Sequence, residues 1–369
     1  GTMMLVNEMF NQKGSEISFR IGKPIPWESI AAMDLSKKAV AKLMRKQVYL
    51  LSQKKKKELF KPIENIIHPV RTKLIRKELK ASQLIGKTQD GKHIYLFDYM
   101  PNSSVMREIG RLRELSFRQV QEGTGNALDI DSYDRYYRHL ILWDEDELEI
   151  IGSYRIGEAA KILKKHGEAG LYTHSLFKFN QSFIPYLEHS IELGRSFIQP
   201  RYQGKRSLDY LWYGIGAYLY QHPEIRYLIG PISLSTSWPE PAQKVIASFY
   251  TTLFGNHKTL VDPRLPFDFE LIQEFAPFKQ VADEENYKQA YAILKALMDD
   301  FGVKVPILYK QYVELCQPGG CEFLGFNIDP SFSNCVDALI LVHINTIKEK
   351  KHQRYIESHA TVFQKRDSA

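Results

Sequence analysis

The alternation of apolar and polar positions divides the chain into a short opening, a basic helical stretch and a long mixed region. Residues 15–26, Ser-Glu-Ile-Ser-Phe-Arg-Ile-Gly-Lys-Pro-Ile-Pro, alternate and end in prolines, which predicts a strand. Residues 34–60 predict a helix, with Asp34 or Ser36 as its cap and Ala39, Leu43, Val48 and Leu51 on one apolar face. A short helix between Pro62 and Pro69 and another over 70–81 follow. Residues 83–88 and 93–99 predict a hairpin across Gln89-Asp90-Gly91-Lys92. Ser103 or Ser104 then caps a helix that runs to about Val120.

Beyond that helix, strands and helices alternate. Strands are predicted at 139–143, 149–156, 173–177, 190–198, 227–234 and 338–343, and helices at 161–166, 208–220, 239–253 and 287–301. Such mixing predicts an α/β (α+β) fold, a mixed sheet layered by helices.

Composition narrows the class. The chain has 369 residues, 44% hydrophobic and 25% charged, which excludes wholesale disorder and collagen. No run of about 18 apolar residues predicts a spanning helix. Cys316, Cys321 and Cys335 form no paired spacing, so neither a disulfide framework nor a metal site is expected. Of the net charge of +7, residues 34–87 carry 16 Lys/Arg against 4 Asp/Glu. That basic extension, with its run Lys54 to Lys57, suits an anionic membrane surface or an acidic protein partner.

The densest chemistry lies between Arg111 and Arg195. Arg111, Arg113 and Arg118 share one predicted helix with Phe117; then come Glu122-Gly-Thr-Gly-Asn, Asp129-Ile-Asp131-Ser-Tyr-Asp134, Arg155 after Gly152 on a strand, and Glu192-Leu-Gly-Arg195. Charges inside apolar strands are costly unless paired or wet. In a strand, residues three apart point to opposite faces, so Glu192 and Arg195 share a face only if a bulge intervenes. Gly214-Ile-Gly216 lacks the third glycine of a dinucleotide motif. His174 and His189 read as packed histidines, and no nucleic-acid motif is present.

Arg113-x-x-x-Phe117, Asp131-x-x-Asp134, Arg155 and Glu192-x-x-Arg195 resemble, in order and spacing, the signature of acyl-homoserine-lactone synthases, which belong to the GNAT superfamily. The resemblance is closer to the bacterial ornithine-acyl-carrier-protein N-acyltransferases. There it extends over Glu192 to Gly204, Leu211-Trp-Tyr-Gly-Ile215, Val305-Pro-Ile-Leu308 and Gly325-Phe-Asn-Ile-Asp-Pro330, and it covers about residues 105–345. Arg111-Leu-Arg-Glu-Leu-Ser-Phe-Arg118 and Glu122-Gly-Thr-Gly resemble a hemolysin-like subgroup, in which such a domain follows a lysophospholipid-type acyltransferase. Residues 1–30 are similar to the tail of that preceding domain.

The resemblance implies a GNAT-like, mostly antiparallel sheet over 101–350, after a basic helical segment and hairpin at 31–100 and before a basic tail at 351–369. It implies an N-acyltransferase that moves a long fatty acyl group, 3-hydroxy or unsubstituted, from a thioester to an amino acid's amine, with no permanently bound cofactor. Glu192 is implied as base, Asp131, Asp134, Arg155 and Arg195 as catalytic partners, and Arg111, Arg113 and Phe117 as the acceptor site. The backbone of Phe197 and Ile198 is implied to hold the donor's pantetheine arm, and Gln203, Gly204, Lys205, Arg206 and Ser207 its phosphate. The superfamily's phosphate loop asks for more small residues than Gln203-Gly-Lys-Arg-Ser-Leu208 supplies, which favours acyl carrier protein over coenzyme A as donor. The enzyme is then expected in the cytoplasm, peripheral to the inner membrane. An O-acyltransferase of lysophospholipid metabolism and a non-catalytic membrane-associated module are the alternatives.

Overall fold

The computed structural model describes residues 14–16, 18–31, 33, 35–52, 59–60, 62–256, 258–279 and 284–359. The chain divides into two units, residues 1–65 and residues 66–369.

In the first unit, Ser36 caps the helix Lys37–Leu50 by accepting from Ala39 N at 3.3 Å. No residue of that helix is buried, and Met44, Val48 and Tyr49 are exposed among its lysines. The expected strand at 15–26 is absent among the described residues, where Pro24 O instead accepts from Ile63 N at 3.0 Å. Asp34 and Lys54 to Lys57 lie outside the described residues.

The second unit is built on one eight-stranded sheet, β1 (Gln83–Lys87), β2 (His93–Asp98), β3 (Arg138–Asp144), β4 (Glu149–Glu158), β6 (Ser190–Ile198), β7 (Tyr227–Leu234), β9 (Cys321–Asp329) and β10 (Cys335–His343), and a two-stranded one, β5 (Phe177–Phe179) with β8 (Val261–Pro263). The large sheet runs β1-β2-β3-β4-β6-β7-β10-β9. Every pairing in it is antiparallel except β6 with β7. The hairpin, grouped in the sequence with the basic segment 31–100, is the edge of this sheet.

Period-two alternation sorts the side chains into two layers. Ile94, Leu96, Leu140 and Leu142 pack on one face with the helices Ser207–Gln221 and Glu240–Phe254; Tyr95, Phe97, Ile141 and Trp143 pack on the other with the helices Thr72–Lys80 and Ser104–Gln119. Both faces are apolar, so the strands read as nearly continuous apolar runs.

Some expectations fail for local reasons. Residues 62–71 form no helix. The strand expected at 173–177 begins only at Phe177, as β5, because the N–H groups of Tyr172 and Thr173 turn to the Glu192 carboxylate instead of a neighbouring strand. The helix Ile307–Leu315 and β9 were not anticipated; Pro306 opens the first, and Gly325 and Asn327 interrupt the apolar pattern of the second.

The feature that positions the site is the short parallel seam. Ser190–Glu192 pair with Tyr227–Ile229, and there the pairing ends. Gly230 sits at the parting: a Cβ on it would lie 2.2 Å from Leu193 O. Beyond the seam, among the described residues, β6 is partnered by β4 alone, and Tyr309 of the helix Ile307–Leu315 reaches into the opening to donate to Ile232 O at 3.1 Å.

Gly216, inside the helix Ser207–Gln221, has a similar constraint: a Cβ there would lie 1.8 Å from the backbone oxygen of Tyr355, in the helix Glu349–Tyr355. Although alanine favours helices, Gly216→Ala is expected to destabilise the fold by about 1–3 kcal/mol through this clash. Chemical denaturation checks this, and an unchanged midpoint contradicts it.

Candidate active site

Three arginines and three aspartates form a buried ladder across the sheet. Arg113 comes from the helix Ser104–Gln119, Arg155 from the middle of β4 and Arg195 from β6, while Asp129, Asp131 and Asp134 come from the segment leading into β3. Arg113 Nη1 donates to Asp134 Oδ1 at 2.8 Å. Arg155 Nη1 lies 3.4 Å from the same oxygen and 2.7 Å from both oxygens of Asp131. Arg195 continues the line, with Nη2 3.6 Å from Asp131 and Nε 3.2 Å from Asp129.

The ladder sets its own protonation. Burial alone would raise the Asp134 carboxyl, but the guanidinium groups of Arg113 and Arg155 outweigh it and hold the carboxyl far below its ordinary range. Asp131 is likewise held down against burial, chiefly by Arg155. Asp129, fully buried with Arg195 as its main counter-charge, is pushed up. Burial, then Arg113, pushes His139 down to about 3, so this imidazole is neutral where it meets Arg113 Nη2 at 3.3 Å.

Arg195 depends on a bulge. Gly194 pairs with Arg155 and Phe197 with Ser153, so Arg195 and Ser196 together oppose Tyr154. Arg195 takes a left-handed φ of 46°, uncommon for a side-chain-bearing residue. Its guanidinium lies between the rings of Tyr172 and Phe332, at 4.9 and 4.6 Å from their centroids. Tyr172 accepts from Arg195 Nη1 at 3.3 Å and donates to Asp329 at 2.6 Å. Together Arg195, Ser196, Tyr172, Ser233, Asp337 and Phe117 border a cavity of about 50 Å³ in the opening between β6 and β7.

Glu192 stands at the last paired position of the seam. It is 1% exposed, and its carboxylate accepts from Tyr137 Oη, from Tyr172 N at 3.1 Å and from Thr173 N at 2.6 Å.

Beyond the end of β6, Gln203 Nε2 donates to Ile198 O at 3.2 Å, Gly204 takes φ +73°, and Ser207 begins the helix Ser207–Gln221 by donating from Oγ to Tyr202 O. Lys205 and Arg206 border an opening of about 470 Å³ with Lys92 and Asp144.

A family model described as an acetyltransferase (GNAT) domain matches residues 112–213, which span the ladder, the bulge and the loop. A glycine N(alpha)-acyltransferase of Phocaeicola vulgatus is 32% identical over 310 residues, which cover 80% of this chain and 94% of that one. One of Bacteroides thetaiotaomicron is 33% identical over 80% of this chain and 92% of its own. An L-ornithine N(alpha)-acyltransferase of Agrobacterium fabrum is 25% identical over 64% of this chain and 74% of its own. The chain belongs to the amino-acid N-acyltransferases of the GNAT superfamily.

In this N-acyltransferase the sequence-predicted residues fall into groups. Asp131, Asp134, Arg113, Arg155 and Arg195 meet in the ladder, and Phe117 borders the cavity, edge-on to Phe332 at 4.9 Å. Arg111 does not join them: its guanidinium is taken by Glu108 at 2.6 and 2.9 Å on its own helix. The Phe197 side chain is buried in the core, and the residue pairs with Ser153 of β4. Arg206 does not fill the loop; its guanidinium lies 5.3 Å over the Tyr210 ring and 3.6 Å from Asp209. Sequence reasoning missed Tyr172, Ser233, Asp329 and Asp337. Asp337 carried a legible signal, a lone acid in the apolar run Cys335–His343.

Two expected outcomes follow from this geometry. Glu192→Gln places an amide N–H₂ among three donors, so stability should fall by about 1–3 kcal/mol along with turnover. Lost turnover with an unchanged denaturation midpoint would instead mark Glu192 as a base. His139 titrates near its ordinary 6.5 when unfolded and near 3 when folded. Its contribution to stability is therefore present above pH 6.5 and lost as pH falls, by up to about 1.4 kcal/mol per unit. Glu122, which burial pushes up to about 7, works in the opposite sense: its contribution is present below its ordinary 4.5 and lost as pH rises through about 7. The difference between wild type and His139→Gln isolates the histidine. Denaturation from about pH 7 to about pH 4 should show a smaller acid-side loss in the variant, and equal slopes contradict it.

Proposed function

We propose that this enzyme transfers a long fatty acyl group, 3-hydroxy or unsubstituted, from acyl carrier protein to the amine of glycine, forming a lyso-aminolipid. The observation that carries the reading is the cavity beside Arg195. It offers a guanidinium for an α-carboxylate, held between two aromatic faces, and only about 50 Å³ of space, which favours an acceptor without a side chain. The names of the relatives from Phocaeicola and Bacteroides agree with this acceptor.

The donor would lie along the edge of β6 past Glu192, which takes no partner from β7. Backbone N–H groups of that edge would meet the thioester carbonyl and the oxyanion that develops on it. The phosphate of the pantetheine arm would sit at the start of the helix Ser207–Gln221, where no side chain caps the first N–H groups. The one positive-φ glycine there, Gly204, makes a poor nest for a pyrophosphate. Lys205 and the exposed Arg206 guanidinium suit a single phosphate on an acidic carrier protein. The basic helix Lys37–Leu50, with its exposed Met44, Val48 and Tyr49, suits an anionic membrane surface where the lipid product would leave. Among the described residues no helix is long and apolar enough to cross a membrane.

Purified enzyme, matched acyl thioesters and single amino acids, with product mass spectrometry, test this function. N-acylglycine is expected to dominate, with kcat/KM for acyl carrier protein thioesters at least about tenfold above acyl-coenzyme A, or about 1.4 kcal/mol. Arg206→Ala should raise KM for the carrier protein, more at low salt than at high. Equal use of coenzyme A thioesters would overturn the choice of donor, and preference for ornithine the choice of acceptor.

A further inference from the structure

The cavity beside Arg195 holds one acid that the ladder does not use. Asp337 sits in β10 directly opposite Ser233 of β7, and it borders the cavity while only 4% exposed. Among the described residues its carboxylate makes no hydrogen bond and no ion pair, whereas every carboxylate of the ladder faces an arginine within 3.6 Å. A buried carboxylate without a partner is costly, and the residue borders a cavity into which a partner could arrive.

We propose that Asp337 binds the acceptor's ammonium group and takes its proton, so that it is the catalytic base of the N-acyl transfer. This rests on the reading of the cavity as the acceptor site. Arg195 and Asp337 border the same small space from β6 and β10, so the pair fits the two ends of an amino-acid zwitterion. Glu192, the other candidate, already accepts from three donors. The ammonium gives one proton to Asp337 and becomes a nucleophilic amine. The amine nitrogen then bonds to the thioester carbonyl carbon. As the adduct collapses, the C–S bond breaks, the second N–H proton goes to the departing sulfur, and an amide and a free thiol result. Asp337 releases its proton to water when the product leaves.

The surroundings favour a strong base. Burial, then the carboxyls of Asp329 on β9 and Glu122 in the loop after the helix Ser104–Gln119, raise the proton affinity of Asp337 well above that of an ordinary aspartate; Arg195 of β6 opposes them. Tyr309 of the helix Ile307–Leu315 and the Cys335 thiol of β10 also face it, and both are themselves pushed up, so they stay neutral. Ser233 is not free to take the proton's place, since its Oγ donates to Glu122 at 2.9 Å.

The test uses the full chain with saturating carrier-protein thioester and glycine. Asp337→Asn should lower kcat by roughly 10²-fold or more while donor KM and the denaturation midpoint change little. In the wild type, log kcat should rise with pH along an acid limb whose midpoint lies above the ordinary 3.8 of an aspartate, and Asp337→Asn should lose that limb. A folded Asp337→Asn enzyme within about threefold of wild-type kcat overturns the proposal. So does a wild-type kcat whose acid limb lies at or below the ordinary 3.8 of an aspartate, or that shows no acid limb, whether or not the variant folds. Wild-type enzyme that forms no N-acyl amino acid overturns the underlying reading, and this result is distinct from an active wild type with an equally active variant.

Discussion

The site depends on the burial of three guanidinium groups in a sheet that is apolar on both faces. An isolated buried charge costs several kcal/mol, and Arg113, Arg155 and Arg195 are each between 0% and 9% exposed at the side chain. Three aspartates interleaved with them make the set formally neutral, so the assembly is tolerable only as a whole. Geometry follows from that requirement. Asp134 must reach both Arg113 and Arg155, and Asp131 must reach both Arg155 and Arg195, which fixes the turn before β3 against β4 and β6. The rings of Tyr133, Tyr137 and Tyr172 surround the Arg155 guanidinium at 5.6, 5.1 and 5.3 Å, covering N–H groups that have no hydrogen-bond acceptor among the described residues. The ladder is a rigid floor, and Arg195, its last rung, is the member that borders open space.

That exposure of one rung comes from the backbone. A regular strand would send Glu192 and Arg195 to opposite faces. The bulge at Arg195 and Ser196 adds a residue, and the left-handed φ of Arg195 redirects its side chain. Glu192 works on the other side of the same feature. It anchors the Tyr172–Thr173 turn at the point where β6 and β7 part, and Tyr172 in turn holds Arg195. Strain at Arg195 persists because Asp129, Tyr172 and Phe332 all constrain its guanidinium.

Much of this was legible in the sequence, and the boundary is physical. The hairpin at β1 and β2, the helix Ser104–Gln119, β7 and most of the central strands follow from periodicity and caps, because both layers of the sheet bury their side chains regularly. The charged rungs were legible because charges in apolar strands need partners, and the need for a bulge followed from the spacing of Glu192 and Arg195. Which partner each would take was not legible. Arg111 and Arg113 are two residues apart on one helix, yet Glu108 claims the first and Asp134 the second, a choice made by tertiary contacts. Asp337 joins the site from 145 residues after Glu192 through the sheet order β6-β7-β10, and Tyr172 from 20 residues before it through the hold of the Glu192 carboxylate on its N–H.

The same sheet order bears on the proposed placement of two substrates in one small cleft. β6 carries Arg195 at its bulge and then, within three residues or about 10 Å, ends at the loop that opens the helix Ser207–Gln221. An edge left open by β7 connects the two places. β7 cannot close it, because Gly230 already touches Leu193 O and its strand is held on the other side by eight register positions of β10. The opening is thus enforced from both sides: by close packing at its apex and by a full antiparallel ladder behind it. An acceptor beside Arg195 and a thioester on the strand edge would then approach along one direction. In the proposed arrangement that geometry would convert a two-substrate collision into a positioned attack.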